Sequence, residues 1–435
     1  MRLVHPLLAA LAVALAACAP EGLPMADDQA AATAALKPFD DLMASFMAEH
    51  KVPGAAVAVT RGGRLVYARG FGYADVERKQ TVTPTSLFRL ASVSKPVTAV
   101  AVLQLVERGR LKLDDRVFDI LRFGPLLGEG ASVDPRLEQV TVRQLLHHTG
   151  GWDRGESFDP MFRSVAIAEA LGVPPPARPP DIIRYMMGQP LQFDPGARYT
   201  YSNFGYSLLG RVIEELTGKP YEAAVQEAVL APLGVEDMRI GATLPGGRAE
   251  NEVCYYDPKN STGPAVMGEA IGKAVPQQYG AWYLEGFDAH GGWIASAVDA
   301  ARFAAEFDDP ATCRLLTAET IRTMFARPAG AAGHNADGTP RDAYYGCGWN
   351  VRPVGERANH WHMGMVVGTA TLLVRRHDGL NWAVLFNSHA GAEGKFLAGE
   401  IDPLVHRAAD AVAQWPDIDL FTRYGLRPVG QGKGN

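Results

Sequence analysis

The chain has 435 residues, enough for one large domain or two ordinary ones with a sizeable core. Hydrophobic residues make up 47% and charged residues 21%, a balance that argues against an intrinsically disordered chain. The formal net charge is −6 and no long basic run occurs, so nothing indicates nucleic-acid binding.

The N-terminus indicates export. Residues 3–17 are almost all Leu, Ala and Val, a run too short to span a bilayer comfortably but typical of a secretory signal. The stretch Leu15-Ala16-Ala17-Cys18 resembles the lipobox of bacterial lipoproteins, whose cysteine is acylated and becomes the new N-terminus. The alternative is ordinary cleavage after a small-residue site. We expect a signal peptide over 1–18 with lipidation at Cys18, and a periplasmic or membrane-anchored lipoprotein of the bacterial envelope.

Residues 19–35 are Ala-rich and predict a linker between that anchor and the folded body. Pro53-Gly54 then opens an apolar run over 55–60, and a Gly-containing turn leads back into residues 65–67. This pattern predicts a β-hairpin. A helix is predicted from Ser92 to about Gly109, where a glycine stands at the expected C-terminus.

Residues 110–340 are mostly helical patterns and loops, including a helix over Phe204–Thr217 that Gly218 closes. Three cysteines in the chain after Cys18 show no CxxC spacing, so the sequence does not indicate a structural metal site. An exported protein can oxidise one pair of them, and the sequence does not say which. We favour buried or unpaired thiols without a catalytic part at Cys254, Cys313 and Cys347.

Two strands are predicted near the C-terminus, Thr369–Arg375 and Asn381–Phe386, joined at the turn dipeptide Asp378-Gly379. A helix over about 394–414 follows them. The order of elements predicts an α/β protein with one sheet built from both ends of the chain and a helical lobe inserted between them. We expect one folded domain over 36–414 and a C-terminal tail over 415–435.

Ser92-Val93-Ser94-Lys95 is the first motif that carries chemistry. Residues three apart lie on one face of a helix, so the Ser92 hydroxyl and the Lys95 amine can touch. A helix N-terminus also favours negative charge beside the serine. S-x-x-K alone is a weak motif, and its alternative is a surface serine with a solvated lysine. The Gly-x-Ser-x-Gly signature of α/β-hydrolases is absent.

A second motif, Tyr201-Ser202-Asn203, precedes the helix at Phe204. Together the two motifs resemble those of serine β-lactamases and penicillin-binding proteins, above all class C β-lactamases, D-Ala-D-Ala carboxypeptidases and family VIII esterases. The similarity covers about 36–390. It implies a β-lactamase/transpeptidase-like α/β (α+β) fold, with an antiparallel sheet flanked by helices and an inserted all-helical lobe. Further ordered matches are Leu145 to Gly151, Tyr201 to Lys219, Pro232-Leu233-Gly234, Gly291-Gly292 and Tyr345 to Trp349.

The resemblance implies a role for each motif residue. Ser92 would attack a carbonyl and form an acyl-enzyme, beside Lys95 as a cation or shared base. Tyr201 would relay protons, and we expect the neighbouring cation to lower the pKa of its hydroxyl and favour the tyrosinate. Asn203 would hold Lys95 in place or bind a substrate amide.

The third motif of the family, usually Lys-Thr-Gly, is replaced by His362-Met363-Gly364. The resemblance puts the oxyanion donors on the backbone N–H groups of Ser92 and Met365. A histidine is largely neutral above about pH 6.5, so selection for a substrate carboxylate should weaken and neutral esters or amides become better substrates. The alternative for His362 is a packed strand residue.

Metal hydrolysis is the competing chemistry. His360 and His362, with the pair at 147–148, could suggest zinc, but no HExxH or similar pattern accompanies them. We therefore expect no metal and no cofactor. We expect His148 to be a satisfied packing residue, and Trp152 either to border the pocket or to be buried.

The sequence thus predicts a serine hydrolase of small esters or amides, of the esterase or D-amino-acid peptidase type. One alternative is a β-lactamase or D-Ala-D-Ala carboxypeptidase, and another is a non-catalytic envelope protein of the penicillin-binding type. The predicted partner is a small-molecule ester, amide or peptide, with membrane contact only through the lipid anchor. Residues 153–192 and 250–286 should shape the pocket.

Overall fold

The computed structural model describes residues 35–127 and 132–430. The predicted signal peptide, Cys18 and almost all of the predicted linker lie outside these residues. The α-helices in the described ranges are α1 (Lys37–His50), α2 (Ser94–Glu107), α3 (Val117–Ile120), α4 (Val142–Leu146), α5 (Ser164–Leu171), α6 (Pro179–Met186), α7 (Asn203–Thr217), α8 (Tyr221–Val225), α9 (Ala297–Ala305), α10 (Ala318–Phe325) and α11 (Leu397–Asp410).

The strands in the same ranges are β1 (Gly54–Arg61), β2 (Arg64–Asp75), β3 (Gln80–Thr81), β4 (Phe88–Arg89), β5 (Arg239–Ile240), β6 (Thr262–Pro264), β7 (Ala274–Pro276), β8 (Trp293–Ala295), β9 (Tyr344–Tyr345), β10 (Asn350–Val354), β11 (Arg357–Val366), β12 (Thr369–Arg375) and β13 (Leu380–Phe386).

The main sheet has the strand order β3-β2-β1-β13-β12-β11-β10-β9, and its pairs are antiparallel. Strand β1 pairs with β13, so the N-terminal and C-terminal hairpins meet in the middle of the sheet. Both hairpins lie where the turn dipeptides predict them. The prediction of one antiparallel sheet built from both ends of the chain is confirmed.

Both faces of this sheet are covered, which explains why its central strands are apolar throughout. On β1, Ala55, Val57 and Val59 pack under α1 and α11, while Ala56 and Ala58 point into the larger core on the other face. Helix α9 packs on that second face. Helix α2 runs through the larger core and is buried on nearly every side, as expected for a helix without a polar face.

The segment between the two ends of the sheet carries most of the short helices, as predicted, together with short strands. Strands β4, β8 and β5 form a three-stranded sheet, and β6 pairs with β7. None of the helices in the described ranges combines the length and the hydropathy that a membrane span requires.

Residues 415–430, part of the predicted C-terminal tail, pack on the folded body. The Leu420 N–H donates to the Leu65 carbonyl, and the Phe421 side chain is fully buried. The Arg302 guanidinium donates to the carbonyl of Arg427 over 2.6 Å. This segment contains one short 3-10 turn, Phe421–Tyr424, so it has no helical or strand periodicity that sequence reasoning could detect.

Candidate active site

Ser92 lies in a tight 3-10 turn, Ala91–Val93, that joins β4 to α2. The helix predicted from Ser92 therefore begins two residues later, at Ser94. Ala91 has a φ of +46°, a conformation that L-residues rarely adopt. The preceding carbonyl, of Leu90, accepts a 2.8 Å hydrogen bond from the buried Thr371 hydroxyl on β12. The central sheet therefore holds the turn that presents Ser92.

Lys95 lies beneath Ser92 and is completely buried. Its Nζ is 3.2 Å from Ser92 Oγ and donates to Asn203 Oδ1 and to the His290 carbonyl, each over 2.8 Å. Burial holds the pKa of Lys95 well below its usual value. A neutral amine can satisfy both carbonyl oxygens with its N–H groups and keep its lone pair for the Ser92 hydroxyl.

Tyr201 lies on the other side of Lys95, whose Nζ is 4.7 Å from the centre of the tyrosine ring. The buried Tyr201 hydroxyl lies close enough to the Ser92 hydroxyl to feel it, but within the described residues it makes no hydrogen bond of ordinary geometry. Burial raises the pKa of Tyr201, and the Ser92 hydroxyl only partly opposes that shift. The expectation of a tyrosinate is therefore wrong. Burial is the largest cause of the shift, and the positive charge of Arg154 opposes it only in part.

Asn203 is oriented by a carboxylate that sequence reasoning missed. Its Nδ2 donates to Asp159 Oδ2 over 2.7 Å, which turns Oδ1 of the same amide towards Lys95. The other carboxylate oxygen of Asp159 accepts from the Met161 N–H, as a helix cap does. The Asp159 charge raises the pKa of Lys95 and so partly offsets the effect of burial. The dipeptide Asp159-Pro160 predicts a turn, but nothing in its spacing indicates Asn203 as a partner.

His362 is both a cleft residue and a packed strand residue on β11. Its Nδ1–H donates to the Met363 carbonyl over 2.7 Å, and its Nε2 accepts from the Tyr345 hydroxyl over 2.9 Å. Burial lowers the pKa of His362 to about 3, so the ring is uncharged at neutral pH. The sequence presents Tyr345 only as part of a family motif. Nothing in that motif predicts that its hydroxyl fixes the tautomer of His362.

Gly364 and Met365 bring β11 against the nucleophile. A Cβ atom on Gly364 would lie 2.2 Å from the Leu90 carbonyl oxygen and 3.1 Å from the Ser92 nitrogen. Only a glycine therefore permits this approach. Met365 follows at the edge of the cleft and is 54% exposed.

His148 packs its ring 4.4 Å from the ring of Tyr201 and adopts a φ of +58°. Its Nδ1 accepts from the Ser202 N–H over 3.2 Å, so Nε2 carries the proton. Among the described residues that buried Nε2 has no partner. The expectation of a satisfied packing residue therefore holds for one of its two ring nitrogens.

The cleft above Ser92 has a volume of about 500 Å³. The two stretches expected to shape it contribute Arg154, Phe162, Gln277 and Trp282. Trp361, Met365 and Phe396 line the opposite side. Trp152 does not border this cleft, because it is buried against Phe204.

The described residues contain no group of three His, Cys, Asp or Glu side chains placed to hold a metal ion. Cys254, Cys313 and Cys347 are unpaired.

Comparisons with known proteins show which family the chain is similar to. The sequence model of the Beta-lactamase family matches residues 39–404. Esterase EstB from Burkholderia gladioli is 35% identical over 239 residues, which are 54% of this chain and 57% of the esterase. The chain thus matches little more than half the length of that relative.

Solved structures extend the likeness over most of the fold. The octameric penicillin-binding protein homologue from Pyrococcus abyssi superposes with a TM-score of 0.61 at 26% identity, covering 85% of this chain and 77% of that one. The D-amino acid amidase from Ochrobactrum anthropi SV3, solved with D-phenylalanine, gives a TM-score of 0.64 at 25% identity, covering 88% of this chain and 99% of that one.

Proposed function

Because the chain belongs to the β-lactamase family, we propose that it is a serine hydrolase that cleaves small esters or amides through an acyl-enzyme on Ser92. The observation that carries this proposal is the position of Lys95. Its Nζ is 3.2 Å from Ser92 Oγ, while its two other hydrogen bonds go to carbonyl oxygens that accept its N–H groups. A buried amine held in this way is a base for the serine hydroxyl.

In acylation, Ser92 Oγ forms a bond to the substrate carbonyl carbon and its proton passes to the neutral Lys95 amine. The oxyanion accepts hydrogen bonds from the backbone N–H groups of Ser92 and Met365, and each such donor typically contributes about 3 to 4 kcal/mol. The bond to the leaving group then breaks. The leaving atom takes a proton from Tyr201, and the Lys95 ammonium reprotonates the resulting phenolate.

Deacylation uses the same groups in reverse. A water molecule attacks the acyl carbon and gives its proton to the Tyr201–Lys95 pair, and the ester bond to Ser92 Oγ breaks. Ser92 Oγ recovers a proton from that pair as the acid leaves. Tyr201 suits the donor role because its raised pKa keeps it protonated at rest.

The uncharged His362 supports esters and amides as substrates over β-lactams. The family usually has a lysine at this place, and a cation there suits a substrate carboxylate. The buried His362 ring, with its pKa lowered to about 3, supplies no such charge. The names of the esterase and the amidase among the similar proteins point in the same direction.

We also propose an envelope location with a lipid on Cys18, supported by the apolar run that ends at Leu15-Ala16-Ala17-Cys18. Cys18→Ala should shift the protein from the membrane fraction to the soluble fraction. Unchanged membrane association of this variant would contradict a lipid anchor at that cysteine.

The function is tested by hydrolysis of p-nitrophenyl butyrate and nitrocefin, with the protein lacking residues 1–18. We expect ester turnover that Ser92→Ala abolishes, with little nitrocefin cleavage. Ser45→Ala is the matched control, because Ser45 lies on α1 and bonds only to backbone carbonyls there. Fast nitrocefin turnover would reassign the protein to the β-lactamases, and absence of any Ser92-dependent turnover would refute the proposal.

A further inference from the structure

Arg154 is the one charged side chain among the described residues that line the cleft. Its guanidinium carbon is 5.4 Å from the centre of the Tyr201 ring, and 52% of its side chain is exposed. Lys95 lies beneath the floor and is completely buried. His362 on the opposite wall is uncharged. The positive charge of this cleft is therefore on the side of the helical lobe, away from the strand where the family usually carries it.

The Arg154 guanidinium makes no hydrogen bond to another side chain among the described residues, and its one ion pair there, with Asp159, is long. The nearest carboxylate oxygen, Asp159 Oδ2, is 3.8 Å from it, which is beyond hydrogen-bond distance. That oxygen already accepts a 2.7 Å hydrogen bond from Asn203. A guanidinium has five N–H donors, and those of Arg154 that do not face Asp159 are therefore available to a ligand that enters the cleft.

A neighbouring arginine shows the contrast. Arg198, on the same lobe, is held by two carboxylates, with one nitrogen 2.9 Å from Glu156 and another 3.1 Å from Asp153. Arg198 does not line the cleft. One arginine of this surface is thus neutralised by its neighbours, while the other presents its donors beside the nucleophile.

Apolar side chains line the cleft together with Arg154. Phe162 and Trp282 face the cleft and lie edge to face, with ring centres 6.5 Å apart. Phe162 remains 43% exposed. A ligand that fits this cleft therefore presents an apolar group to the two rings and an acceptor for a planar cation close to it.

We propose that Arg154 binds a carboxylate of the substrate, so that the natural substrates are esters or amides that carry an anionic carboxylate beside an apolar group. The inference rests on the proposed hydrolase function. A guanidinium matches a carboxylate with two parallel hydrogen bonds, which makes arginine a selective partner for that group. The carboxylate belongs to the acyl part or to the leaving part of the substrate, and the two cases are separable by experiment.

The test compares kcat/KM for three esters. The neutral reference is p-nitrophenyl butyrate. The mono-p-nitrophenyl ester of glutaric acid carries its carboxylate on the acyl side, and 4-carboxyphenyl butyrate carries it on the leaving side. Arg154→Gln should lower the ratio of anionic to neutral kcat/KM at least about tenfold for one of the two anionic esters, chiefly through KM. Arg154→Lys should retain part of the ratio.

Arg198→Gln is the matched control, because it removes the same charge from the same lobe outside the cleft. For Arg198→Gln, the ratio of anionic to neutral kcat/KM should stay within about twofold of the ratio for the unmodified enzyme. An unchanged ratio in Arg154→Gln for both anionic esters would overturn the inference. An equal fall in Arg198→Gln would overturn it as well, since the effect would then come from the net charge of the lobe.

A binding measurement keeps the inference separate from catalysis. By calorimetry, 4-phenylbutyrate should bind Arg154→Gln at least about tenfold more weakly than the unmodified protein, while 4-phenylbutanamide should change by no more than about twofold. Equal weakening of both ligands, or of neither, would refute carboxylate recognition by Arg154. If the unmodified protein shows no ester turnover but binds the two ligands in this pattern, the proposed hydrolase function is refuted and the proposed carboxylate site is supported.

Discussion

Lys95 and Tyr201 share one buried environment that favours the neutral form of each. Burial lowers the pKa of the amine and raises the pKa of the phenol, because a charged group loses hydration in either case. The resting pair is therefore drawn towards a free amine and an intact phenol. The amine is then the base for Ser92 and the phenol is the proton donor for the leaving group.

The pH dependence of kcat/KM tests this assignment. Activity needs the neutral amine, so kcat/KM should fall as the pH drops through the folded-state pKa of Lys95, which lies well below that of a free lysine. The histidines whose charges would face Lys95, namely His148, His290 and His362, have lowered pKa values, so they should add no step near pH 6.5.

Lys95→Arg tests the assignment of Lys95 as the base by substitution. A guanidinium stays protonated and cannot accept the serine proton. We expect a loss of about 10²- to 10⁴-fold in kcat/KM. If the variant does not fold, the pH profile of kcat/KM for the unmodified enzyme still tests the same assignment. Near-normal activity of a folded Lys95→Arg would contradict the role of Lys95 as the base.

Asp159→Asn tests the carboxylate behind Asn203. The substitution keeps an oxygen that can accept from Asn203 and removes the negative charge that raises the pKa of Lys95. The pKa of Lys95 should therefore fall, and the acidic limb of the kcat/KM profile should move to lower pH. Asp153→Asn is the control, because Asp153 pairs with Arg198 and does not contact Asn203. An acidic limb that stays in place would show that Asp159 does not act on Lys95.

At the scale of single residues, the sequence predicted the residues of the two motifs, since S-x-x-K and Y-x-N are local patterns. It missed Asp159, Arg154 and the Tyr345–His362 hydrogen bond, which depend on contacts between distant segments. The charge state of Tyr201 was predicted wrongly for the same reason. Burial sets that state, and the depth of burial is a property of the whole fold.

Strand β11 is the element that completes the site, and Gly364 is the position where it approaches Ser92. Gly364→Ala would place a methyl group 2.2 Å from the Leu90 carbonyl oxygen, so the strand or the serine turn must shift. We expect a loss of about 1 to 3 kcal/mol in the free energy of unfolding. A shift of about 1 Å between Ser92 and Met365 should lower kcat about hundredfold.

Gly246→Ala is the control for this substitution. A Cβ atom at Gly246 would meet no other atom within 4 Å, so stability and kcat should both be retained. Chemical denaturation and steady-state rates on p-nitrophenyl butyrate measure the two effects. Full activity of Gly364→Ala would contradict the close approach of β11 to the nucleophile.

The elements that the sequence predicted are those with strong local signals. The hairpin turns, the helix closed by Gly218 and the last helix lie close to their predicted positions. The short strands β4 and β8 were not predicted, because two or three residues carry no detectable alternation. These short strands support the turn that carries Ser92. The elements of the fold that are hardest to predict from the sequence are therefore those that position the nucleophile.

At the scale of the whole molecule, the order of strands and helices was enough to predict a sheet built from both ends of the chain. The extent of the folded body was not predictable in the same way. Residues 415–430 lack periodicity, yet they lie against β2 and α9. The contribution of these residues to the stability of the fold depends on single buried side chains.

Phe421→Ala tests that contribution. The side chain is completely buried, so its removal should lower the free energy of unfolding by about 3 to 5 kcal/mol. Val76→Ala is the control, because Val76 is 43% exposed and its truncation should cost less than about 0.5 kcal/mol. Equal stability of the two variants by urea denaturation would show that residues 415–430 are a dispensable tail.

The central claim is the acyl-enzyme on Ser92, and its most direct test is to trap that species. The protein is mixed with p-nitrophenyl butyrate, quenched with acid, digested and analysed by mass spectrometry. We predict a butyryl group on the peptide that contains Ser92, and no adduct in Ser92→Ala. An adduct on another residue, or ester turnover that persists in Ser92→Ala, would contradict the account.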